Sequence, residues 1–271
     1  MPLPLWLAGV LVLLLIACRA EVTNVPSTGT ATPVFECVIT PPPAELRLDP
    51  FYKKYCSALG IPILSDGSVS DRAIQQAAYI VVHMLAPLPD VRQKMLELKL
   101  RVGVIGANQV TTDMPEYRNL NNQFPGVDWN TRTRGLGGTP SIPLMTGAEE
   151  NLLCYPNDVY RGESIFVHEF AHTIKSMGLE FTNPRIVTAL QAAYDNARAT
   201  GLWANTYADD NIEEYWAEGV QSYFNTNLEA TPPNGIHNSV NTHEELKAYD
   251  PTLYKIIATI FPAADWSIRC P

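Results

Sequence analysis

Apolar residues recur at helical spacing in seven stretches of the chain, and capping residues bound most of them. Ser70 to Ala86 (SDRAIQQAAYIVVHMLA) places Ile74, Ala77, Ala78, Val81 and Leu85 on one face behind a Ser70 cap. A second helix runs from an Asp90 cap through Leu98 into RVGVI, Arg101 to Ile105, a predicted strand. From Gly162 to Gly178 the period gathers Phe166, Val167, Phe170, Ala171, Ile174 and Met177 on one side, with Gly178 suited to the position just past a helix end. Asn183 with Pro184 opens a helix to Thr200 that Gly201 stops. The next spans Asn211 to Asn225 (NIEEYWAEGVQSYFN). Asn241 or Thr242 then caps a short helix, and Asp250 with Pro251 restarts one to Phe261 whose core face is Tyr254, Ile256, Ile257 and Ile260.

Between Thr111 and Ser141 the pattern turns polar and Gly-rich, ending in RGLGGTP, Arg134 to Pro140. No GK[ST] follows these glycines, so they form no phosphate loop. The segment reads as a loop. The other reading is that, with the strand candidate Asn151 to Tyr155, it borders a cleft and pairs with an extended peptide backbone, although a Gly-rich stretch beside a sheet has many other uses. Together these elements predict one α/β (α+β) domain over residues 35–271, with a small mixed sheet and helices upstream and a mainly helical C-terminal half. No internal repeat is visible. A chain of 271 residues that is 46% hydrophobic can bury a sizeable core.

The uncharged apolar run LPLWLAGVLVLLLIA at residues 3–17 has the length of an export signal and is short for a membrane span. Residues 1–20 are therefore expected to be a signal peptide or a lipoprotein signal. Leu15-Ile16-Ala17-Cys18 resembles a bacterial lipobox, which would anchor the protein in a membrane through a lipidated Cys18, and cleavage after Ala20 is the other reading. A Thr- and Pro-rich tether follows at residues 21–34. Either route places the mature chain outside the cytoplasm or at the cell surface. There Cys37, Cys56, Cys154 and Cys270 suggest two disulfides with three possible connectivities. The net charge of −9, without clusters of Lys or Arg, argues against a nucleic-acid partner. Nothing in the pattern specifies an oligomer.

The polar side of the Gly162 helix carries the chemistry. His168, Glu169 and His172 form the pattern HExxH, in which two histidines four apart stand on one helical face and can share a metal ion. Glu169 is then placed to take a proton from metal-activated water. An amphipathic surface helix would look similar, so the pattern needs a third ligand. An HExxHxxGxxH site is excluded, because Lys175 and Gly178 stand where Gly and His are required. A carboxylate of the Asn211 helix remains, with Glu213, Glu214 and Glu218 as candidates. Glu214 and Glu218 share a face with Gln221 and Asn225, which makes Glu214 the expected ligand and Glu218 the acid supporting a histidine N–H. His83 reads as structural. His237 and His243 match no ligand spacing, and a place along the cleft is open to either.

HEFAH followed by Tyr207 and then EYWAEGVQSYF, Glu214 to Phe224, resembles the catalytic domain of the anthrax lethal factor-like metallopeptidases, within the gluzincins. The resemblance covers about 60 residues' worth of motifs and spacing. It implies a zincin-type domain binding one zinc ion through His168, His172 and Glu214, with Glu169 as general base, Glu218 as supporting acid and Tyr207 stabilising the oxyanion. It implies a zinc endopeptidase whose partner is a peptide or protein substrate. A catalytically silent surface binding protein on the same fold is the rival expectation, and it has no need of Glu169 or Tyr207.

Overall fold

The computed structural model describes residues 36–262 and Trp266. The expected export signal and tether, with Cys18 and Cys270, lie outside the described residues. The expected α/β class is what the chain adopts, a small mixed sheet followed by a mainly helical C-terminal half.

The sheet has the order β1 (Lys54–Ala58), β2 (Ile61–Ser65), β3 (Arg101–Ile105) and β4 (Leu144–Ala148). β1 and β2 form an antiparallel hairpin, while β2, β3 and β4 run parallel. The hairpin turns on Leu59 and Gly60, both at positive φ (53° and 90°), the backbone that a tight two-residue turn between right-twisted strands requires. The parallel connection from β2 to β3 passes through α1 (Asp71–Leu85) and α2 (Pro89–Glu97). Between β3 and β4 lie two single-turn helices, α3 (Leu120–Gln123) and α4 (Trp129–Arg132). Successive strand residues point to opposite faces. Ile61, Ile63, Val102, Val104 and Met145 therefore join the main core under α1, while Leu64, Ile105 and Leu144 join a second one with Tyr52, Met114, Tyr117 and Leu120.

Past β4 the chain is helical: α5 (Glu149–Leu152), α6 (Ile165–Ile174), a π-helical turn at Lys175–Leu179, α7 (Glu180–Thr182), α8 (Pro184–Thr200), α9 (Ile212–Tyr223), α10 (His243–Tyr249) and α11 (Pro251–Ile260). Most caps fall where the sequence puts them. The side chains of Ser70, Asn183, Asn211, Thr242 and Asp250 each accept a backbone N–H of the helix they precede, and Gly201 ends α8 at φ 75°.

Three expectations fail. Asn151 to Tyr155 is not a strand. Glu149–Leu152 is a helical turn whose two buried carboxylates are held by partners distant in sequence: Glu149 accepts the Ser70 and Ala107 N–H groups, and Glu150 pairs with Arg134 at 2.6 Å. α2 starts at Pro89 and not behind an Asp90 cap, since proline at the first helical position needs no donor. The HExxH helix begins after Ser164 and leaves α-helical geometry at Lys175, so Gly178 is no stop. Gly178 is there for contact, as a Cβ on it would lie 2.4 Å from a Val91 methyl.

Cys37 and Cys56 form a disulfide that ties the start of the described chain to β1, and Cys154 is disulfide-bonded as well. Among the described residues no helix is long and apolar enough to cross a membrane.

Candidate metal centre

α6 and α9 pack side by side, and each carries part of the site. α6 is fixed at its start by two polar contacts. The Ser164 side chain accepts the Val167 N–H, and the Asn151 Oδ1 accepts the Ile165 N–H at 2.9 Å. Its apolar face (Phe166, Val167, Phe170, Ala171, Ile174) is fully buried, so the opposite face is held at a fixed angle towards α9. On α9, Trp216 is fully buried and its Nε1 donates to the carbonyl of Ala171 at 2.8 Å. Gly219 lets α11 approach from behind, where a Cβ would meet Leu253 at 2.6 Å.

This packing brings three donor atoms together from positions 46 residues apart in sequence. The Nε2 atoms of His168 and His172 are 3.0 Å apart, Glu214 Oε2 is 3.0 Å from the first, and 3.3 Å from the second. The group could hold a metal ion. Glu213 is turned away to a buried Lys175 at 2.7 Å, which also meets Glu180. Of the three acids named from the sequence, Glu214 alone faces both rings.

The donor set itself tests whether a cation fits. His168 Nδ1 lies 2.7 Å from Gln221 Oε1, while Gln221 Nε2 donates to the Ser164 carbonyl and to Glu163. That leaves the Gln221 oxygen to face the ring, so Nδ1 carries a proton and Nε2 is the nitrogen turned to His172 and to a carboxylate. Three atoms of ligand type converge, and a bound cation, or in its place a proton on Nε2, balances them. Tetrahedral zinc with bonds of about 2.0–2.2 Å has donor-to-donor edges of about 3.3–3.6 Å, so the observed triangle is slightly tight for zinc and of the right form.

The local field shows how strongly the site draws positive charge. Burial opposes a charge on His168, but the hydrogen bond to Glu214 and the charges of Glu169, Glu218 and Glu214 overcome it and push its pKa up to about 10. Burial likewise favours neutral Glu214, yet hydrogen bonds and charge from His168 and His172 hold its carboxyl well below the usual range.

Glu218 is buried at the back of the site, 3.5 Å from His168 Nδ1, and accepts Asn227 Nδ2 at 2.9 Å. Burial raises its pKa. Tyr207 sits in a 3-10 turn (Tyr207–Asp209) whose first N–H is held by the Ile236 carbonyl, and its ring lies nearly parallel to that of His168 at 6.2 Å. Burial and then the charge and hydrogen bond of Glu214 raise its phenol above the ordinary value. Of the other histidines, His83 bonds back to the Tyr79 carbonyl and His243 sits between Tyr223 and Tyr254. His237 is buried in place of the flexible setting its loop suggests, 3.6 Å from Glu163.

The glycines of RGLGGTP lie against the HExxH helix. A Cβ on Gly135 would come within 3.0 Å of Glu169 Cγ, and one on Gly137 within 2.9 Å of His172 Cβ. Leu136 pairs with Thr146 on the outer edge of β4, the Gly138 N–H bonds Thr173, and Arg134 locks the start of the segment through Glu150 and the carbonyls of Gln109 and Gly106. Gln221 and Asn151 contact the site's helix in ways that spacing does not reveal: their amides carry no charge, so only their place in the fold marks them.

No protein-family model matches the chain, and no curated protein matches it. Among solved structures, the chain is similar to a Pro-Pro endopeptidase from Paenibacillus alvei at 15% identity, over 69% of this chain and 91% of that one, with a TM-score of 0.45. A likeness of that level leaves family and substrate to be argued from the site.

Proposed function

We propose that this chain is a zinc-dependent endopeptidase that works outside the cytoplasm. The observation that carries the reading is the triangle of His168, His172 and Glu214 donor atoms at 3.0–3.3 Å, with the Glu169 carboxylate close enough for its charge to act on His168. Bound there, a zinc ion supplies Lewis acidity that polarises a carbonyl and acidifies water. Glu169 accepts the proton of the attacking water and returns it to the leaving amine. Tyr207, kept protonated by burial and by Glu214, donates its O–H to the oxygen on which negative charge develops. Both roles agree with the motif spacing that resembles the lethal factor-like gluzincins.

An extended substrate suits the edge beside the site. Leu136 spends its N–H and C=O on Thr146, and neither backbone group of half-exposed Gly137 bonds any described residue. Those two groups are available to a peptide strand. The disulfides support an oxidising compartment, and the apolar run at residues 3–17 supports export, with Cys18 as a lipid anchor if the lipobox is used. The experiment is zinc content per chain together with cleavage of a peptide library, with and without chelator. One zinc per chain and chelator-sensitive internal cleavage are expected, and a chain that neither holds zinc nor cuts any peptide removes the reading.

A further inference from the structure

We infer that Gln221, and not a carboxylate, is the residue that positions His168 for metal binding. The inference rests on the zinc reading above and concerns how that site is built. The resemblance assigns support of the histidine to an acid, Glu218. In this fold Glu218 stands 3.5 Å from His168 Nδ1 and spends an oxygen on Asn227, while Gln221 Oε1 is at 2.7 Å. Hydrogen bonds to a neutral carbonyl have their optimum near 2.9 Å and fade beyond about 3.2 Å, so the amide holds the ring.

The amide is itself held. Gln221 is fully buried, its Nε2 donates to the Ser164 carbonyl at 3.2 Å and to Glu163 at 3.4 Å, and its backbone carbonyl accepts both the N–H and the hydroxyl of Thr226. Its nitrogen end therefore faces two acceptors, and its oxygen end is left for the imidazole. Ser164 also caps α6, so the residue that starts the HExxH helix also orients the amide that orients its first histidine. The consequence is chemical as well as geometric. A carboxylate at this position would pull the Nδ1 proton towards itself and make the ring a stronger donor, whereas a neutral amide fixes tautomer and angle while leaving the metal more electron-poor.

The test compares Gln221→Met, which keeps length and removes the acceptor, with Glu218→Gln. Zinc affinity is read by chelator competition, and the His168 Nδ1–H resonance by nitrogen-15 NMR of the zinc-loaded protein. Gln221→Met is expected to weaken zinc binding by about 10–100-fold and to move the Nδ1–H signal, at a urea midpoint that still reports a folded chain. Glu218→Gln is expected to leave the signal in place. Should Gln221→Met not fold, a through-hydrogen-bond coupling in the wild-type protein decides: one from His168 Nδ1 to the Gln221 side-chain carbonyl carbon supports the assignment, and one to the Glu218 carboxyl carbon overturns it. Undiminished zinc affinity in Gln221→Met with zinc present in the wild type also overturns it. Absence of zinc from the wild type removes the metal centre, and this assignment with it.

Discussion

The indole N–H of Trp216 donates to the backbone carbonyl of Ala171 at 2.8 Å, and this bond joins the helix that offers Glu214 to the helix that offers both histidines. It falls between the two histidines on α6, with the ring itself fully buried. Trp216→Phe removes the donor and part of the ring volume. The lost hydrogen bond costs about 1 kcal/mol and the smaller ring adds a cavity term, for a total of about 1–3 kcal/mol in urea unfolding. Zinc affinity should fall too, because the Glu214 side of the triangle is then free to drift. Stability and affinity both equal to wild type would show that the two helices are registered by other contacts.

Glu169 is the one acid of the site that faces the glycine segment, with its Cγ 3.0 Å from where a Gly135 Cβ would stand. Replacing it by glutamine keeps the shape and removes the basic oxygen. Glu169→Gln should fold and hold zinc as before, with peptide hydrolysis reduced by about 10²–10⁴-fold. Turnover at the wild-type rate, measured on the best library peptide, would take the general-base role away from it.

Tyr207 keeps its proton at any physiological pH, since burial and the Glu214 carboxylate both disfavour the phenolate. Its O–H is therefore available there as a donor. Tyr207→Phe should therefore lower kcat by about 10²–10³-fold while KM and zinc content stay put, the pattern of an interaction made only in the transition state. A rise in KM at unchanged kcat would recast Tyr207 as a residue that binds substrate.

Gly137 is a glycine because of what lies across from it. A Cβ would sit 2.9 Å from His172 Cβ and 3.4 Å from the Glu169 carbonyl, so Gly137→Ala has to push the edge segment off α6. A cost of about 1–3 kcal/mol in stability is expected, together with a loss in kcat/KM that exceeds the loss in zinc affinity. Equal activity in Gly137→Ala would mean that substrate does not use this edge.

Helices and the pairing of His168 with His172 were readable because their signals are local. Ser70, Asn183 with Pro184, Gly201, Asn211 and Asp250 each act within one helical turn, and His168 and His172 need only a helix between them to share a face. Strands were harder. β4 (LMTGA) is buried along its whole length and so shows no alternation, while NLLCY looks like a strand and becomes a helical turn through partners 79 and 42 residues away, at Ser70 and Ala107. The two-residue hairpin of β1 and β2 went unread for a similar reason, since Leu59 carries the positive φ where asparagine or glycine would have announced it. Glu214 was chosen for its charge, while Gln221, on the same helical face, was passed over because a neutral amide carries no sign of which ring it will meet.

The pH response follows from the two groups that the site perturbs most. In the metal-free chain burial opposes a charged His168, but the Glu214 hydrogen bond and the carboxylates around it win and push its pKa up to about 10, against an ordinary 6.5. A raised folded pKa contributes stability that is complete below about 6.5 and is lost as pH climbs through about 10. Glu214, despite burial, is held low by the two histidines, so its contribution is present above about 4.5 and drains away as pH falls below it. Both contributions coexist between those limits, and metal-free protein should lose this part of its stability on the alkaline side. Zinc needs the neutral imidazole and must displace the His168 proton, so its apparent affinity should tighten by up to about tenfold per pH unit across the neutral range. The stabilisation by excess zinc, about 2.7 kcal/mol at a hundredfold excess over Kd, is then gained at progressively lower zinc as pH rises. Tm measured against pH with and without zinc reads both effects, and calorimetry in two buffers of different ionisation enthalpy counts the proton. A zinc affinity that is flat from pH 6.5 to 8.5, with no proton released, would mean that His168 is already neutral in the metal-free chain and that the carboxylates around it do not govern the site.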